Sequence, residues 1–270
     1  MNLTRHQTSN GPRWALDGAY LPLSFHLDLL LELPRDAIAP FLATMPTEGE
    51  ATGDLLAPIE PAQEVWAAGV TYLRSRDARE AESQTGDIYT RVYAAERPEL
   101  FFKAAGWRVV AHGGTIRVRP DSTWDVPEPE LTLVINSHGE VVGYCAGNDV
   151  SSRSIEGENP LYLPQAKVYN GSCALGPGIE IANPDTLRDV PIRIEIVRHG
   201  ESVYKGEAST SQMKRAFEEL AACLFRELDF PHGAFLMTGT CLVPPDSFTL
   251  TPGDVVTIQV GDLTLQNSVE

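Results

Sequence analysis

The stretch that decides the fold is DVPEPELTLVI, residues 125–135, in which two glutamates stand directly before an apolar, β-branched run. Side chains alternate across a strand, so Glu128 and Glu130, two residues apart, lie on one face if both belong to it. Two like charges side by side are unfavourable unless a cation lies between them. Pro127 and Pro129 favour an edge or strand-entry position, where a missing N–H is tolerated. The stretch therefore predicts a strand that begins with two carboxylates on the same face.

The residues that follow predict a β-hairpin whose loop length decides where Asp149 lies. Asn136-Ser137-His138-Gly139 separates residues 131–135 from the next apolar run, which starts at Val141. A two-residue His-Gly loop places Asp149 opposite Glu128, and a four-residue loop places it one step diagonal on the same face. A three-residue loop turns Asp149 to the other face, because a shift of one residue exchanges the faces. Two of the three loops thus predict three carboxylates on one face.

Three carboxylates on one face predict a metal site. Glu128, Glu130 and Asp149 offer hard oxygen ligands without His or Cys, a set that favours magnesium, with manganese or calcium as alternatives, over zinc or copper. A site of three carboxylates also leaves coordination positions for water and a substrate. The alternative interpretation is that each acid is a solvated surface side chain, which is the usual environment of Asp and Glu.

The rest of the chain indicates a β-rich body behind a small leading unit. Short β-branched runs separated by Gly, Pro, Asp and Asn continue from residue 65, among them 192–197 and 255–260. Gly261-Asp262, which follows the second of these runs, predicts a two-residue hairpin turn. Residues 1–62 instead mix a short helical stretch with proline-bounded turns and an acidic segment. We expect an α+β, β-rich chain with a small N-terminal domain at 1–62 and a larger domain at 63–270.

One amphipathic helix is predicted near residue 210. Ser209 or Thr210 can cap its start, and apolar residues recur behind it at helical spacing. The apolar stripe consists of Met213, Phe217, Leu220 and Leu224. The expected outer face carries Lys214, Arg215, Glu218 and Glu219. This stripe is interpreted as core packing.

The charge balance excludes several classes of partner. The chain has 270 residues, with 37 Asp and Glu against 21 Lys and Arg and a formal charge of -16. Such a field repels nucleic-acid phosphates and anionic lipid heads, so we expect neither nucleic acid nor a membrane as a partner. An anionic substrate would need a local positive centre, such as a divalent cation. The four cysteines show no metal-binding spacing and residues 1–13 are polar, so we expect a cytoplasmic protein.

A series of motifs in a fixed order reaches from residue 66 to residue 254. They are WAAGVTY at 66–72, PELFFK at 98–103, PEPEL at 127–131, GNDVSSR at 147–153, QAK at 165–167, TGT at 238–240 and PGD at 252–254. On these motifs the chain resembles the fumarylacetoacetate hydrolase superfamily. RPELFFK at 97–103 and IEGENPLYLPQAK at 155–167 are most similar to the branch of that family that acts on 2-keto-3-deoxy sugar acids.

The resemblance implies a fold, a cofactor and an assembly. In the family, a mixed β-sandwich roll forms the catalytic domain, a small domain precedes it, and the chains form homodimers or higher homo-oligomers. The E-x-E pair and the later Asp hold magnesium, which implies that role for Glu128, Glu130 and Asp149. This implied ligand set agrees with the cluster inferred from the strands.

One departure from the family pattern bears on the reaction. Hydrolases and decarboxylases of the family carry Tyr-x-x-His-x-x-Glu, in which the His and Glu activate water or act on a lid. Here the same register reads Tyr72, Ser75 and Ala78, so that pair is missing. We therefore expect elimination rather than hydrolysis of a carbon-carbon bond. A second departure is Ser154, where relatives often have Asp.

The resemblance implies dehydration of a 2-keto-3-deoxypentonate, such as 2-keto-3-deoxy-D-arabinonate, to 2,5-dioxopentanoate and water. Magnesium would stabilise the enolate that forms when the C3 proton leaves. Lys167 is the expected base, because a nearby cation disfavours its ammonium form, and Glu99 is the expected proton donor to the leaving hydroxyl. These two roles can be exchanged. Further substrate contacts are expected from Thr240, Arg153, Glu158, Asn159 and Gln165.

Each of these further contacts has a structural alternative. The hydroxyl of Thr240 can bond its own turn, and Arg153 can pair with an acidic neighbour. The remaining three can be ordinary polar loop residues. At the level of function, the alternatives are a metal-dependent acylpyruvate or diketo-acid hydrolase, an oxaloacetate decarboxylase, or a binding protein without catalysis. The presence of Lys167 and Glu99 argues against the last of these.

Overall fold

The computed structural model describes residues 1–73 and 87–270. Eighteen strands are found in this part of the chain. They are β1 Asn2–Thr8, β2 Gly11–Leu16, β3 Ala19–Tyr20, β4 Glu48–Glu50, β5 Leu55–Leu56, β6 Glu64–Gly69, β7 Glu99–Ala105, β8 Thr115–Ile116, β9 Asp125–Val126, β10 Pro129–Ile135, β11 Val141–Asp149, β12 Ser151–Ser152, β13 Cys173–Ile181, β14 Pro191–Arg198, β15 Glu201–Ser209, β16 Ala234–Met237, β17 Val255–Val260 and β18 Leu263–Val269.

Two large sheets and one strand pair organise these strands. The first sheet runs β4-β3-β2-β1-β13-β11-β10-β16-β6-β7, with β5 also pairing with β1, and the second runs β15-β14-β17-β18-β8. Strands β9 and β12 form a separate antiparallel pair. Both large sheets are mixed, because β16 lies parallel to β6 and β18 parallel to β8. The predicted α+β, β-rich class is confirmed.

The two large sheets pack face to face through their buried residues. Along β18 buried and exposed residues alternate, so one face of the second sheet meets the core and the other meets water. Strands β10 and β11 are buried along their whole length. Strands β17 and β18 pack on β11, and β18 also packs on β13. The two innermost strands of the first sheet therefore lie in the middle of the molecule, where any charge they carry is desolvated.

The helices are short. Those in the described residues are Leu27–Leu30, Arg35–Thr44, Asp87–Ala94, Arg153–Glu158, Leu163–Lys167 and Phe217–Leu224, with 3-10 turns at Gly106–Arg108, Pro160–Tyr162, Pro184–Leu187 and Thr210–Gln212. All of these described helices are too short or too polar to span a lipid bilayer.

The helix predicted near residue 210 is only partly confirmed. Ser209 caps a 3-10 turn by accepting from the N–H of Ser211 at 3.1 Å, and the α-helix begins later, at Phe217. The guanidinium of Arg215, predicted on the outer face, is buried and donates to the carbonyls of Glu96 and Ala95. The prediction was wrong here because carbonyls of a distant segment hold the arginine inside, and residue spacing gives no information about them.

The hairpin β10–β11 has the register that a two-residue loop gives, but the chain reaches it differently. The N–H of Asn136 donates to the carbonyl of Glu140 at 3.0 Å, which leaves a three-residue loop whose last residue, Gly139, has a φ of 76°. A bulge then leaves Val142 without an opposite residue. The three-residue loop shifts the pairing register by one residue, and the bulge shifts it back. As a result, the N–H of Asp149 donates to the carbonyl of Glu128 at 3.0 Å.

The N-terminal segment joins the first sheet. Strand β1 pairs with β13, which in turn pairs with β11, and the side chain of Leu3 belongs to the hydrophobic core. The carbonyl of Ile59 also accepts from Arg5 at 2.8 Å. The division of the chain at residues 62 and 63 stays a prediction.

Candidate metal centre

Three carboxylates meet at the end of the β10–β11 hairpin. Glu128 directly precedes β10, Glu130 is the second residue of that strand, and Asp149 ends β11. One oxygen from each of the three side chains lies within 4.8 Å of the others, and all three residues are buried. Because the strands are paired antiparallel, their alternation brings all three side chains to the same face. The structure therefore contains the cluster that the sequence predicts.

The side chain of Lys167 lies against two of these carboxylates. It is the last residue of the helix Leu163–Lys167, and its Nζ donates to Glu128 Oε2 at 2.8 Å, Asp149 Oδ2 at 2.9 Å and Ser151 Oγ at 2.6 Å. Three acceptors are the number that one ammonium group can serve. The same Nζ lies 5.7 Å from the centre of the Phe101 ring. Lys167 is thus held at the cavity wall, next to the predicted metal.

Two further cations complete the cluster. Lys103 is fully buried, and its Nζ contacts Asp149 Oδ1 and donates to the carbonyls of Val150 at 3.1 Å and Lys167 at 2.5 Å. Arg153 donates to Glu128 Oε1 at 2.8 Å. Three acids and three bases are therefore packed together out of water, where their mutual interactions are strong.

Glu130 differs from the other two acids. Burial raises the pKa of Glu130 well above its usual value, and the neighbouring Asp149 and Glu128 carboxylates raise it further. Two contacts act in the opposite direction: the charge of Lys167 and the N–H of Gly239, which donates to Glu130 Oε2 at 2.6 Å. A divalent cation between the three oxygens would remove the repulsion that raises this pKa. The donor set fits magnesium, manganese or calcium, since all three ligands are carboxylates.

A cavity opens over these carboxylates. The described residues that line it are Ala68, Gly69, Val70, Glu99, Phe101, Glu128, Glu130, Asp149, Arg153, Glu156, Leu163, Lys167, Gly239 and Thr240. Glu99 reaches the cavity because Gly69 has no side chain: a Cβ there would lie 2.1 Å from Glu99 Oε2. At Gly239, a φ of 91° favours glycine and aims its N–H at Glu130.

The structure brings some of the predicted substrate residues to this cavity and not others. Arg153 and Thr240 line it, although Arg153 also pairs with Glu128, and the Thr240 hydroxyl accepts from the N–H of Leu242 at 3.1 Å. Asn159 caps the next turn by accepting from the N–H of Leu161 at 3.0 Å. Glu158 and Gln165 are exposed. These three are not among the described lining residues, and their contact with substrate stays a prediction.

Sequence reasoning missed three residues of the site. Lys103 follows Glu99 and Phe101 at a spacing of two along β7, and strand alternation could have placed it beneath them. Glu156 lies one helical turn after Arg153, so the same face of that helix carries both. Ser151 accepts a hydrogen bond from Lys167, and no sequence pattern predicts this contact. Ser75 and Ala78, where the His and Glu of the hydrolase motif would stand, lie outside the described residues.

Comparison with known proteins identifies the family of the chain. The family model described as fumarylacetoacetate (FAA) hydrolase C-terminal matches residues 64–270. The chain belongs to the fumarylacetoacetate hydrolase family. The family match thus covers the predicted metal ligands, Lys167 and the whole second sheet.

Relatives within the fumarylacetoacetate hydrolase family include named dehydratases. A probable 2-keto-3-deoxyxylonate dehydratase of Haloferax volcanii is 51% identical over 212 residues, which are 77% of this chain and 72% of that protein. A 2-dehydro-3-deoxy-D-arabinonate dehydratase of Saccharolobus solfataricus is 44% identical over 214 residues, 76% of this chain and 70% of that protein. A solved 2-keto-3-deoxy-D-arabinonate dehydratase in complex with magnesium and 2,5-dioxopentanoate has a TM-score of 0.81 and 33% identity, covering 100% of this chain and 99% of that one.

Proposed function

We propose that this chain is a hydro-lyase that dehydrates a 2-keto-3-deoxypentonate, such as 2-keto-3-deoxy-D-arabinonate, to 2,5-dioxopentanoate and water. The observation that carries the proposal is the meeting of Glu128, Glu130 and Asp149 beside Lys167 in one buried cavity. Such a site can hold a 2-oxo acid and remove a proton next to its keto group. The names of the relatives support the same reaction, since both curated relatives are dehydratases of 2-keto-3-deoxy sugar acids.

Magnesium is the proposed cofactor, held by Glu128, Glu130 and Asp149. Bound there, a divalent cation would neutralise a 2-oxo acid and stabilise negative charge on its keto oxygen. Arg153 and Lys103 keep the carboxylates in place by binding Glu128 Oε1 and Asp149 Oδ1. A solved protein of similar structure, in complex with magnesium and 2,5-dioxopentanoate, supports this choice of ion.

Lys167 takes the C3 proton of the substrate, and Glu99 donates a proton to the C4 hydroxyl as it leaves as water. Both side chains line the cavity, Lys167 on the side of the carboxylates and Glu99 over Gly69. The two roles can be exchanged. The final tautomerisation to the aldehyde requires a further proton transfer, which either side chain can make. Thr240 and Arg153 are proposed to hold the substrate carboxylate.

Separate incubations of the purified protein with magnesium and 2-keto-3-deoxypentonate, an acylpyruvate or oxaloacetate test the function. We expect 2,5-dioxopentanoate to accumulate with magnesium and to be absent after EDTA, because the carboxylate cluster needs its cation. Cleavage of the acylpyruvate, or loss of carbon dioxide from oxaloacetate, would instead select the hydrolase or the decarboxylase. Turnover of none of the three acids would reject the enzyme proposal.

The setting of the reaction is proposed on the family resemblance and the composition. The protein acts in the cytoplasm as a homodimer or higher homo-oligomer, with residues 1–62 as a small N-terminal domain. Its partner is a small 2-oxo acid rather than nucleic acid or a membrane, since the formal charge of -16 opposes anionic polymers and surfaces. Light scattering of the purified protein measures the oligomeric state.

A further inference from the structure

Arg215 is a buried cation to which the proposed reaction assigns no role. Its guanidinium donates to three carbonyls, those of Val92 at 3.5 Å, Ala95 at 2.5 Å and Glu96 at 3.0 Å. It also donates to the carboxylate of Glu219 at 2.6 Å. A guanidinium has five N–H donors in a rigid fork, so it can serve several acceptors at once. One side chain thus binds three carbonyls of a segment 119 to 123 positions earlier in the chain.

The carbonyls that Arg215 binds lie at the end of the helix Asp87–Ala94 and directly after it. The last carbonyls of a helix have no partner inside it, and cations are favourable near that end. Lys214 supplies a second cation, because its Nζ donates to the carbonyl of Tyr93 and lies 4.6 Å from the centre of the Tyr93 ring. The N–H of Lys214 donates to the carbonyl of Thr71 at 3.0 Å. Residues 214 and 215 therefore join the end of this helix to the segment that follows β6.

The helix Asp87–Ala94 borders the wall of the metal cavity. Ile88, Tyr89 and Val92 line a second cavity beside the first, and their spacing of three and four places them on one face of the helix. Three residues line both cavities, namely Glu99, Glu156 and Leu163. This face of the helix therefore contributes to the surface that backs the shared wall.

The effect of Arg215 on this helix is expected to be strong and local. Its side chain is only 7% exposed, so its hydrogen bonds form away from water, where they are stronger. Glu99, in contrast, is also held by the pairing of β7 with β6, in which it lies opposite Gly69. Loss of the guanidinium would thus release the end of the helix while the strands and the metal ligands keep their places.

We propose that Arg215 is a positioning residue that holds the helix Asp87–Ala94 against the cavity wall and thereby raises the affinity for the substrate. Arg215 acts through the helix, since it is not among the described residues that line the metal cavity. A wall that is fixed before binding does not have to be ordered by the substrate, which favours affinity. The inference rests on the proposed function for the identity of the substrate.

Arg215→Met, which removes the guanidinium and keeps an unbranched stem, tests this role. We expect the KM for 2-keto-3-deoxypentonate and the calorimetric dissociation constant of the unreactive acid 2-oxopentanoate, both with magnesium, to rise about tenfold. The kcat should change by less than about threefold, and magnesium affinity should stay unchanged, because the contacts of Lys167 and of the metal ligands are intact. Hydrogen exchange without substrate should accelerate in residues 92–96 and stay unchanged in β10.

Two further variants serve as rescue and as control. Arg215→Lys keeps the charge but cannot serve three carbonyls with a planar fork, so we expect both constants to rise only about threefold. Arg188→Met makes the same change at an arginine that is 67% exposed and should leave both constants and the exchange at wild-type values. Thermal unfolding shows whether each variant is folded. If Arg215→Met does not fold, Arg215→Lys decides, and wild-type constants in that variant overturn the role.

The outcomes separate this role from the proposed function. Constants of Arg215→Met within about twofold of the wild type, or unchanged exchange in residues 92–96, overturn the positioning role. A fall in kcat at constant KM also overturns it, because the effect would then lie on the chemical step. If the wild type does not dehydrate 2-keto-3-deoxypentonate, the proposed function fails. The positioning role then still stands on faster exchange together with weaker binding of 2-oxopentanoate, and it falls if either is missing.

Discussion

The charge cluster at the end of β10–β11 and the outer face of the second sheet use the same residue types in opposite settings. On the outer face, Arg193 lies opposite Glu207 with atoms 2.9 Å apart, and Lys205 lies 3.0 Å from the Glu195 carboxylate. These side chains are between 40% and 67% exposed. In the cluster, distances are similar, but exposure of the paired side chains does not exceed 4%. Geometry alone therefore does not separate the two regions.

The surrounding medium separates them. An exposed ion pair contributes about 0 to 1 kcal/mol, since water solvates the charges and dissolved salt screens them. Removal of one partner from a buried pair costs about 3 to 5 kcal/mol, because the remaining charge is left without solvent. In the cluster, burial and the neighbouring charges of Asp149 and Glu128 disfavour the charged form of Glu130 unless a metal cation is bound. A functional site is expected where charged groups destabilise the folded chain in the absence of a ligand.

The largest effect is expected for Lys167→Ala. Loss of the proposed base should lower the turnover of 2-keto-3-deoxypentonate by about 10² to 10⁴, the usual contribution of a general base, while magnesium affinity stays nearly unchanged. Product formation and a magnesium titration measure the two quantities. Lys205→Ala, the same change in the exposed sheet, is the matched control. Full activity of Lys167→Ala would show that the base is another residue.

The next effect concerns stabilisation by the metal. Magnesium at 100 times its dissociation constant should stabilise the wild type by about 2.7 kcal/mol and leave Glu130→Gln unaffected. Without magnesium, the raised pKa of Glu130 makes the wild type lose stability as pH rises through that pKa, whereas the variant has no such loss. Thermal melts with and without magnesium test both statements, with Glu195→Gln as the exposed control. Equal stabilisation of Glu130→Gln by magnesium contradicts the ligand assignment.

Asp125 is expected to show an intermediate effect that depends on pH. Burial raises the pKa of Asp125 to about 6. The folded-state pKa of Asp125 therefore lies above its unfolded value. The contribution of this group to the free energy of unfolding is fully present at acid pH and is lost as pH rises from about 4 to about 6. Asp125→Asn should thus be more stable than the wild type by about 2 kcal/mol at pH 8, with a much smaller gain near pH 4.

Denaturant unfolding at the two pH values measures this difference for Asp125→Asn. Asp246→Asn, at an exposed position, should change little at either pH. A gain of equal size at both pH values would mean that the effect comes from packing and not from ionisation.

The smallest effect is expected in the exposed sheet. Glu207→Gln breaks the pair with Arg193, and we expect a loss of about 0.5 kcal/mol or less in the free energy of unfolding, since both partners are solvated. The loss should shrink further at high salt. Denaturant titrations at two salt concentrations measure it. A loss above about 2 kcal/mol would place this pair with the buried cluster and remove the contrast between the regions.

The sequence predicts the strands and the cluster well because both depend on alternation. Residues 131–135 and 255–260 lie in β10 and β17, and the Gly261-Asp262 turn joins β17 to β18 as expected. The face shared by Glu128 and Glu130 follows directly from their spacing of two. Local patterns of this kind carry their own geometry, and for that reason the fold class and the metal cluster could both be predicted.

Contacts between distant segments could not be predicted in the same way. Lys103 binds the carbonyl of Lys167, 64 positions later, and Arg215 is held by carbonyls near residue 95. No periodic pattern reports such contacts, since each depends on how the sheets and loops finally pack. The family resemblance supplied the fold and the role of Lys167, but the placement of Glu156 became visible only in the folded chain.

The register of the β10–β11 hairpin depends on its loop and its bulge together. Removing one residue between Asn136 and Glu140 alone, or Val142 alone, would move Asp149 by one position and turn its carboxylate away from Glu128. Natural variants of this hairpin are therefore expected to gain or lose residues at both places together, or at neither. A single deletion would inactivate the site while leaving every ligand in the sequence.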